Sequence, residues 1–349
     1  MYACPMKSPP NSPLLLSLLV ALLLLSIWLS LALGPVSLDA GQVLAALPGL
    51  VGLGGDGPPD QALLILGQIR LPRTLLGLCV GAVLALCGVA MQGLFRNPLA
   101  DPGLLGVSSG AALGAALAIV GGVALGHSLR GLEPYLLSLC AFLGGLAATA
   151  LVYRLGRREG QTHVATMLLA GIAVTALAAA AVGFFTYLAD DAELRKLTFW
   201  NLGSLNGASY ERLWPLLLVT LLVSLWLPRR AKALNALLLG ESEARHLGFE
   251  VQRLKRELVL CTALGVGAAV AAAGLVGFIG LVVPHLMRLL VGPDHRLLLP
   301  AAGLAGACLL LLADLLARLL LAPAELPIGI VTALIGAPFF LFLLLRGRH

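Results

Sequence analysis

Few side chains in this sequence are spaced as covalent catalysis requires. Residues 106–110 read Gly-Val-Ser-Ser-Gly, which fits the G-x-S-x-G pattern of a nucleophilic serine. That serine acts at a strand-to-helix turn beside a histidine and an acid, whereas this segment leads from a proline turn into an apolar run. The six histidines include no H-E-x-x-H pair of the metalloprotease type. The sequence therefore predicts no catalytic residue and no enzyme activity.

Nucleotide hydrolysis and metal binding are equally unsupported. A P-loop needs a lysine that follows glycine, and glycine precedes none of the four lysines. The six cysteines lie singly, without a CxxC pair, and predict neither a zinc site nor a disulfide framework. His163 could ligate a metal ion, but a histidine at a helix start beside a basic loop is more often solvated. We predict no metal or cofactor bound by this chain.

Several charged side chains that could bind a partner lie near the ends of apolar runs. Arg70 and Arg73 occur in Arg-Leu-Pro-Arg before one run, and Arg318 lies near the end of another. Asp314 precedes Arg318 by four residues, so we expect a terminal ion pair between them. A guanidinium can hold a carboxylate through two parallel hydrogen bonds, which suits recognition of acidic groups. The alternative is that these arginines snorkel to the membrane surface.

Composition places these residues in a membrane protein. Hydrophobic residues make up 59% of the 349 residues and charged residues 11%, with a mean hydropathy of +0.98. Soluble domains carry roughly 25% charged residues. The formal charge of +6 sits in short clusters between apolar runs, which is typical of cytoplasmic loops and predicts no nucleic-acid partner. The first run, 14–33, exceeds the apolar region of a signal peptide and is retained as a membrane helix.

Ten transmembrane helices are predicted, with both termini in the cytoplasm. Nine apolar runs are visible, and the run 257–292 would be about 54 Å long as one helix, too long for one crossing. Gly277, Gly280 and Pro284 offer break points, so we divide this run. Basic clusters at both chain ends favour the cytoplasm, which agrees with an even number of crossings. The predicted spans are 14–33, 71–94, 103–126, 135–153, 164–188, 213–228, 257–277, 280–292, 297–317 and 328–345.

This topology makes the chain a single transmembrane domain over residues 1–349. Segments 34–70 and 189–211 fall on the periplasmic side, and the segment 239–250 falls in the cytoplasm. A faint similarity between 79–95 and 266–282 predicts an inverted repeat, an arrangement common in transporters.

Small residues within the runs predict closely packed helices. Glycine pairs at G-x-x-x-G spacing let helix backbones approach, where packing replaces the hydrophobic drive that lipid does not supply. The pairs are Gly77–Gly81, Gly110–Gly114 and Gly122–Gly126.

A polar turn between two apolar runs carries the strongest signature. Residues 91–106 read MQGLFRNPLADPGLLG, and the two prolines end one helix and start the next. This sequence resembles the corresponding segment in the membrane subunits of the ABC importers for haem, vitamin B12 and iron-siderophores, the FecCD/BtuC-like family. Further matching segments follow in order at 240–248, 277–285 and 324–329. The resemblance implies the all-α, polytopic fold of a type II ABC importer permease with ten helices.

The resemblance also implies a contact with an ATPase. Residues 240–248 match the G-E-x-x-A-x-x-L-G segment that the family inserts into a groove of its ATPase partner. The matching positions are Gly240, Glu241, Ala244, Leu247 and Gly248. The spacing predicts a short amphipathic helix with Ala244 and Leu247 on one side.

Docking and gating residues are implied in the same way. Arg70, Arg73 and Arg318 correspond to family arginines that receive acidic residues of a periplasmic binding protein. The implied cytoplasmic gate consists of Asn97, Leu99, Val164 and Ala165. Vitamin B12 members carry small hydroxyl residues at the last two positions, and an apolar pair there favours a flat, apolar substrate.

The implied assembly is a homodimer in the bacterial inner membrane. Two copies of a cytoplasmic ABC ATPase would supply ATP and Mg²⁺ chemistry, and one periplasmic binding protein would deliver the substrate. Haem is the favoured substrate, with an iron-siderophore or vitamin B12 as the alternative. An ion-coupled secondary carrier is the alternative of another class. Such carriers place an ionisable residue at the bilayer midplane, for which Asp314 and Arg318 are the nearest candidates.

Overall fold

The computed structural model describes residues 12–36, 38–50, 61–125, 133–158 and 160–346. Predictions for the two chain ends, for the middle of 34–70 and for Gly126 fall outside these residues. Within them, the regular structure is helical apart from one two-residue hairpin, β1 (Arg157–Arg158) and β2 (Gln161–Thr162). The helices are α1 (Ser12–Ala32), α2 (Ala40–Leu50), α3 (Gln61–Leu64), α4 (Leu71–Phe95), α5 (Val107–Leu125), α6 (Glu133–Leu155), α7 (Val164–Leu188), α8 (Asp191–Asn201), α9 (Tyr210–Arg229), α10 (Ala231–Leu239), α11 (Glu241–His246), α12 (Val251–Ala273), α13 (Ile279–Val291), α14 (His295–Leu319) and α15 (Ile328–Arg346).

Ten of these helices coincide with the ten predicted spans, so the all-α polytopic fold is confirmed. Seven helical stretches among the described residues are long and apolar enough to cross a bilayer. The helices α5, α13 and α15 are apolar but have shorter qualifying segments. The exact number of crossings therefore stays a prediction.

The helix α4 forms the centre of the bundle. Nearly all of its residues are buried, and it packs against α9, α12, α13 and α14. The outer helices α1 and α7 expose most of their apolar side chains, as lipid-facing or partner-facing helices do. A single helix thus organises the core of the chain.

Close helix contacts occur at several of the predicted glycines. Gly81 of α4 lies against the backbone of Gly306 in α14, and a methyl group at either position would overlap the other. Gly110 and Gly114 meet the backbone of α6 in the same way. Gly122 has far more room, with only Leu136 at the edge of contact. The prediction of close approach is confirmed at Gly81, Gly110 and Gly114.

The predicted break within 257–292 is also confirmed. The helix α12 ends at Gly274, which has a φ of +70°, and α13 begins after Phe278, which has a φ of +69°. Gly277 lies in the break, whereas Gly280 and Pro284 lie inside α13. The break also crosses 266–282, while 79–95 lies within the single helix α4. The two segments have different local structures, and an inverted repeat stays a prediction.

The two ends of the bundle carry different polar groups. One end holds α10, α11, the hairpin and the turn after α4, and we call it the α11 end. At the other, the Arg73 end, Tyr210 donates to the carbonyl of Gly67 at 2.8 Å, and the Ile328 N–H donates to the carbonyl of Gly203 at 3.0 Å. The first bond joins α9 to the segment before α4, and the second joins the start of α15 to the turn that follows α8.

Candidate functional site

The predicted coupling segment forms a short helix at the α11 end. Gly240 precedes α11 with a φ of +134°, and Gly248 follows it with a φ of +85°. Side-chain-bearing residues rarely adopt such values, so both glycines of the motif have a backbone role. Ala244 is fully buried, whereas Leu247 is 60% exposed. The prediction that these two residues share one side is wrong, because Leu247 follows the last helical residue and lies at the surface.

A buried lysine holds α11 against the bundle. The Lys255 Nζ donates to Glu241 Oε1 at 2.6 Å and to the carbonyl of Thr162 at 2.8 Å. The lysine is 1% exposed, so these two acceptors replace its hydration. The Thr162 N–H donates to Gln252 Oε1 at 2.8 Å. The start of α12 therefore binds both α11 and the strand that precedes α7.

The turn after α4 is held by its own side chains. Arg96 ends the helix in the left-handed region, with a φ of +50°. Asn97 Oδ1 accepts from the Leu99 N–H at 2.9 Å, and Asp101 Oδ1 accepts from the Gly103 N–H at 2.7 Å. Burial raises the pKa of Asp101, and the Gly103 hydrogen bond opposes that rise. The turn is thus a defined structure rather than a loose link.

The predicted gate residues lie at or near the surface of the single chain. Asn97, Leu99 and Ala165 are exposed, and Val164 is half-buried at the first position of α7. His163 precedes α7 and is exposed, as expected for a solvated residue. One chain therefore forms no closed gate from these four residues, and a gate between two copies stays a prediction.

The predicted arginines lie together at the Arg73 end, within a buried network. Arg73 Nη2 lies 2.8 Å from Asp314 Oδ1, and Arg73 Nη1 lies 2.9 Å from Glu325 Oε1. Arg318 Nε lies 3.1 Å from Asp314 Oδ2, so the predicted Asp314–Arg318 ion pair is confirmed. Arg70 donates to the carbonyls of Leu31, Ala32 and Val36. The network ties α1, α4 and α14 to the segment before α15.

This arrangement bears on the expectation that the three arginines receive acidic residues of a periplasmic binding protein. Arg70, Arg73 and Arg318 are 3%, 7% and 3% exposed. Their guanidinium groups are paired inside the chain because a charge removed from water needs a counter-charge or hydrogen-bond acceptors. Direct docking of an acidic partner by these groups would require the internal contacts to open. Their docking role is therefore a prediction that the observed geometry does not favour.

A second polar cluster connects α10 with the start of α14. Asn235 Oδ1 accepts from the His295 N–H at 2.9 Å and lies 2.7 Å from His295 Nδ1. Asn235 Nδ2 donates to Asp294 Oδ1 at 2.6 Å, and Asp294 Oδ1 also caps α14 by accepting from the Arg296 N–H. These hydrogen bonds lower the pKa of Asp294, the Arg296 bond most.

Sequence reasoning missed the structural roles of Lys255 and Glu325. Lys255 belongs to one of the short basic clusters that predict cytoplasmic loops, although Val251, Leu258 and Val259 place it on an apolar helical face by their spacing. That spacing could have predicted its burial. Glu325 lies 252 residues from Arg73 along the chain, and no local signal connects them.

A bundle of apolar helices with buried polar links and a short charged helix at one end is the architecture of a polytopic membrane protein. The FecCD transport family matches residues 22–346, and the chain belongs to this family.

Relatives and a solved structure agree with this assignment. The chain is 51% identical to the hemin transport system permease protein HmuU of Yersinia pestis over 285 residues, which cover 81% of this chain and 83% of the relative. It is 45% identical to the vitamin B12 import system permease protein BtuC of Shigella boydii over 328 residues, 94% and 95% of the two chains. A metal-chelate type ABC transporter in an inward-facing conformation superposes with a TM-score of 0.83 at 36% identity, covering 96% and 99%. The chain is thus a multi-pass permease of the ABC importer class.

Proposed function

We propose that this chain is the permease subunit of an ATP-driven importer that moves haem from a periplasmic binding protein into the cytoplasm. The assembly contains two copies of this chain and two copies of a cytoplasmic ATPase, which binds ATP and Mg²⁺. Haem is favoured as the substrate by the 51% identity to a hemin permease, compared with 45% identity to a vitamin B12 permease. Vitamin B12 is the second candidate, supported by the longer match to BtuC, and an iron-siderophore is a further candidate.

The α11 end fits contact with the ATPase. Glu243, Arg245, His246 and Leu247 are exposed, while Ala244 and the Glu241–Lys255 ion pair fix the helix to the bundle. A rigid helix with exposed charges and one exposed leucine suits a groove on a soluble partner. Closure of the ATPase dimer on ATP would then displace α11 and change which side of the route is open.

The route for the substrate would run between two copies of the chain. A cavity of about 370 Å³ lies between α5 and α7, and its lining combines alanine and valine with the hydroxyls of Ser108, Ser109 and Thr175. Ser109 Oγ and Thr175 Oγ1 are 3.2 Å apart. A mostly apolar wall with few polar groups suits a flat, apolar cargo. At the α11 end, Asn97, Leu99, Val164 and Ala165 would close the route.

The binding protein would dock at the Arg73 end. Arg195, Lys196 and Arg212 are exposed there and could attract carboxylates of a partner. Arg70, Arg73 and Arg318 would act behind that surface by holding the helix ends in place. Both termini would then lie in the cytoplasm, with the protein in the inner membrane.

A secondary carrier is a poorer fit. Among the described residues, Asp314 is the most deeply buried carboxylate, at 1% exposure, and Arg73 and Arg318 already occupy both of its oxygens. A coupling ion would have to displace a guanidinium group, which is costly in a buried site.

The test is uptake into proteoliposomes that contain this chain and its cognate ATPase. Binding protein preloaded with haem, cobalamin or a ferric siderophore is supplied in parallel, with ATP on the ATPase side. Accumulation of haem alone supports the proposal. Accumulation of another ligand instead would keep the importer and overturn haem as its substrate.

A further inference from the structure

Lys255 is the largest polar side chain that is almost fully buried among the described residues, at 1% exposure. Its ammonium group has lost water and is held by two oxygens, Glu241 Oε1 at 2.6 Å and the Thr162 carbonyl at 2.8 Å. Hydrogen bonds that involve a charged group are short and strong, so this three-way contact is stiff. The two acceptors come from different elements, and Lys255 joins them.

The first acceptor belongs to the helix proposed to contact the ATPase. Glu241 is the first residue of α11, and its side chain is 32% exposed. The exposed residues Glu243, Arg245 and Leu247 follow within the next six positions. A partner that moves α11 would therefore act directly on the Glu241 carboxylate.

The second acceptor lies beside the proposed gate. Thr162 ends β2 and is two residues before Val164, the first residue of α7. Both backbone polar groups of Thr162 are bonded to α12, the carbonyl to Lys255 and the N–H to Gln252. The His163 N–H donates to the carbonyl of Gly156 at 2.9 Å and closes the hairpin. The start of α7 is thus fixed to the same helical turn that holds α11.

We infer that Lys255 is a positioning residue that transmits displacement of α11 to the start of α7, and so links ATP hydrolysis to gate movement. This inference rests on the proposed function. Coupling needs a contiguous contact with two arrangements, and the Glu241–Lys255–Thr162 chain supplies the contact. A methionine of similar length would fill the space but could bind neither oxygen. The ATPase would then turn over without moving the gate.

The experiment compares substrate accumulated per ATP hydrolysed in proteoliposomes with the ATPase and loaded binding protein. Lys255→Met is expected to keep ATP hydrolysis and lower this ratio at least about fivefold, the lower range of coupling between protein sites. Lys255→Arg restores a cation and should recover most of the ratio. Lys232→Met is the matched control, because Lys232 is exposed at the same end of the chain and should leave the ratio unchanged.

Each outcome decides the inference. An unchanged ratio in Lys255→Met would overturn it, as would equal loss of ATP hydrolysis and transport in a variant that still assembles, because that indicates a purely structural lysine. If Lys255→Met fails to fold, Lys255→Gln, which can still donate to one oxygen, is measured by the same criterion. Failure of ATP-driven uptake in the unmodified chain would instead overturn the proposed function itself.

Discussion

Asp314 satisfies two buried guanidinium groups with a single carboxylate. Arg73 and Arg318 approach its two oxygens from α4 and from one helical turn further along α14. Glu325 takes the remaining face of Arg73, with its side chain 24% exposed. Removing the Asp314 carboxylate would leave two buried guanidinium groups without this counter-charge. The Glu325 carboxylate is partly exposed, so solvent can also stabilise its charge.

Asp314→Asn is expected to lower the free energy of unfolding by about 3 kcal/mol, because breaking one side of a buried ion pair leaves an uncompensated charge. Denaturant unfolding in detergent micelles measures the change. Glu211→Gln is the control, since Glu211 is exposed at the same end. Equal stability of Asp314→Asn and the unmodified chain would show that the network is not a structural one.

Asp294 gives the structure a predictable response to acid. Its pKa is lowered by hydrogen bonds from the Arg296 N–H and the Asn235 amide, so the folded state favours the carboxylate. Its contribution is fully present above the ordinary aspartate pKa of about 3.9 and disappears as the pH falls through the lowered value.

Asp294→Ala should therefore cost about 1 kcal/mol at neutral pH, the usual loss for a helix N-cap. The difference from the unmodified chain should shrink on acidification below the ordinary aspartate pKa. Unfolding midpoints of both proteins over an acid series measure it. A difference that stays constant with pH would contradict the assigned hydrogen bonds.

At the scale of elements, the close packing of α4 against α14 depends on glycines, which carry no side chain. Gly81 and Gly306 bring the two backbones into contact. Gly81→Ala should destabilise the protein by about 1–3 kcal/mol, the cost of overpacking. Gly183→Ala in α7 is the matched change, because nothing lies within 4 Å of the added methyl group. Equal unfolding midpoints for the two variants would contradict the close contact.

The helix α11 offers a test of its proposed contact with the ATPase. Leu247 is 60% exposed, and exposed apolar anchors contribute strongly to interfaces. Leu247→Glu should weaken association with the ATPase about tenfold, equivalent to ~1.4 kcal/mol. Titration of the labelled ATPase against nanodiscs measures it. Gln161→Glu adds the same charge at the same end as a control, and equal affinities of the two variants would argue against α11 as the contact.

Most elements were predictable because each apolar run must satisfy its own backbone in lipid, which requires a helix. The break within the run 257–292 was predictable as well, because the run is too long for one helix to cross the membrane. The exposed position of Leu247 was not predictable, because helix spacing does not show where a six-residue helix ends. The burial of Arg73 also escaped prediction, since its carboxylate partners Asp314 and Glu325 are 241 and 252 residues away in sequence.

At the scale of the whole molecule, the proposed assembly predicts a defined stoichiometry. A single chain leaves Asn97, Leu99 and Ala165 exposed, so the proposed gate would need a second copy. Native mass spectrometry of the complex with the ATPase should give two copies of each chain. A complex with one copy of this chain would contradict a route between two permeases.

The central claim is that ATP hydrolysis by a partner drives transport through this chain. Its most direct test is uptake into proteoliposomes with the cognate ATPase, supplied with loaded binding protein and either ATP, a non-hydrolysable analogue or an ion gradient without nucleotide. Accumulation with ATP alone is the expected result. Accumulation driven by the ion gradient in vesicles that lack the ATPase would contradict it.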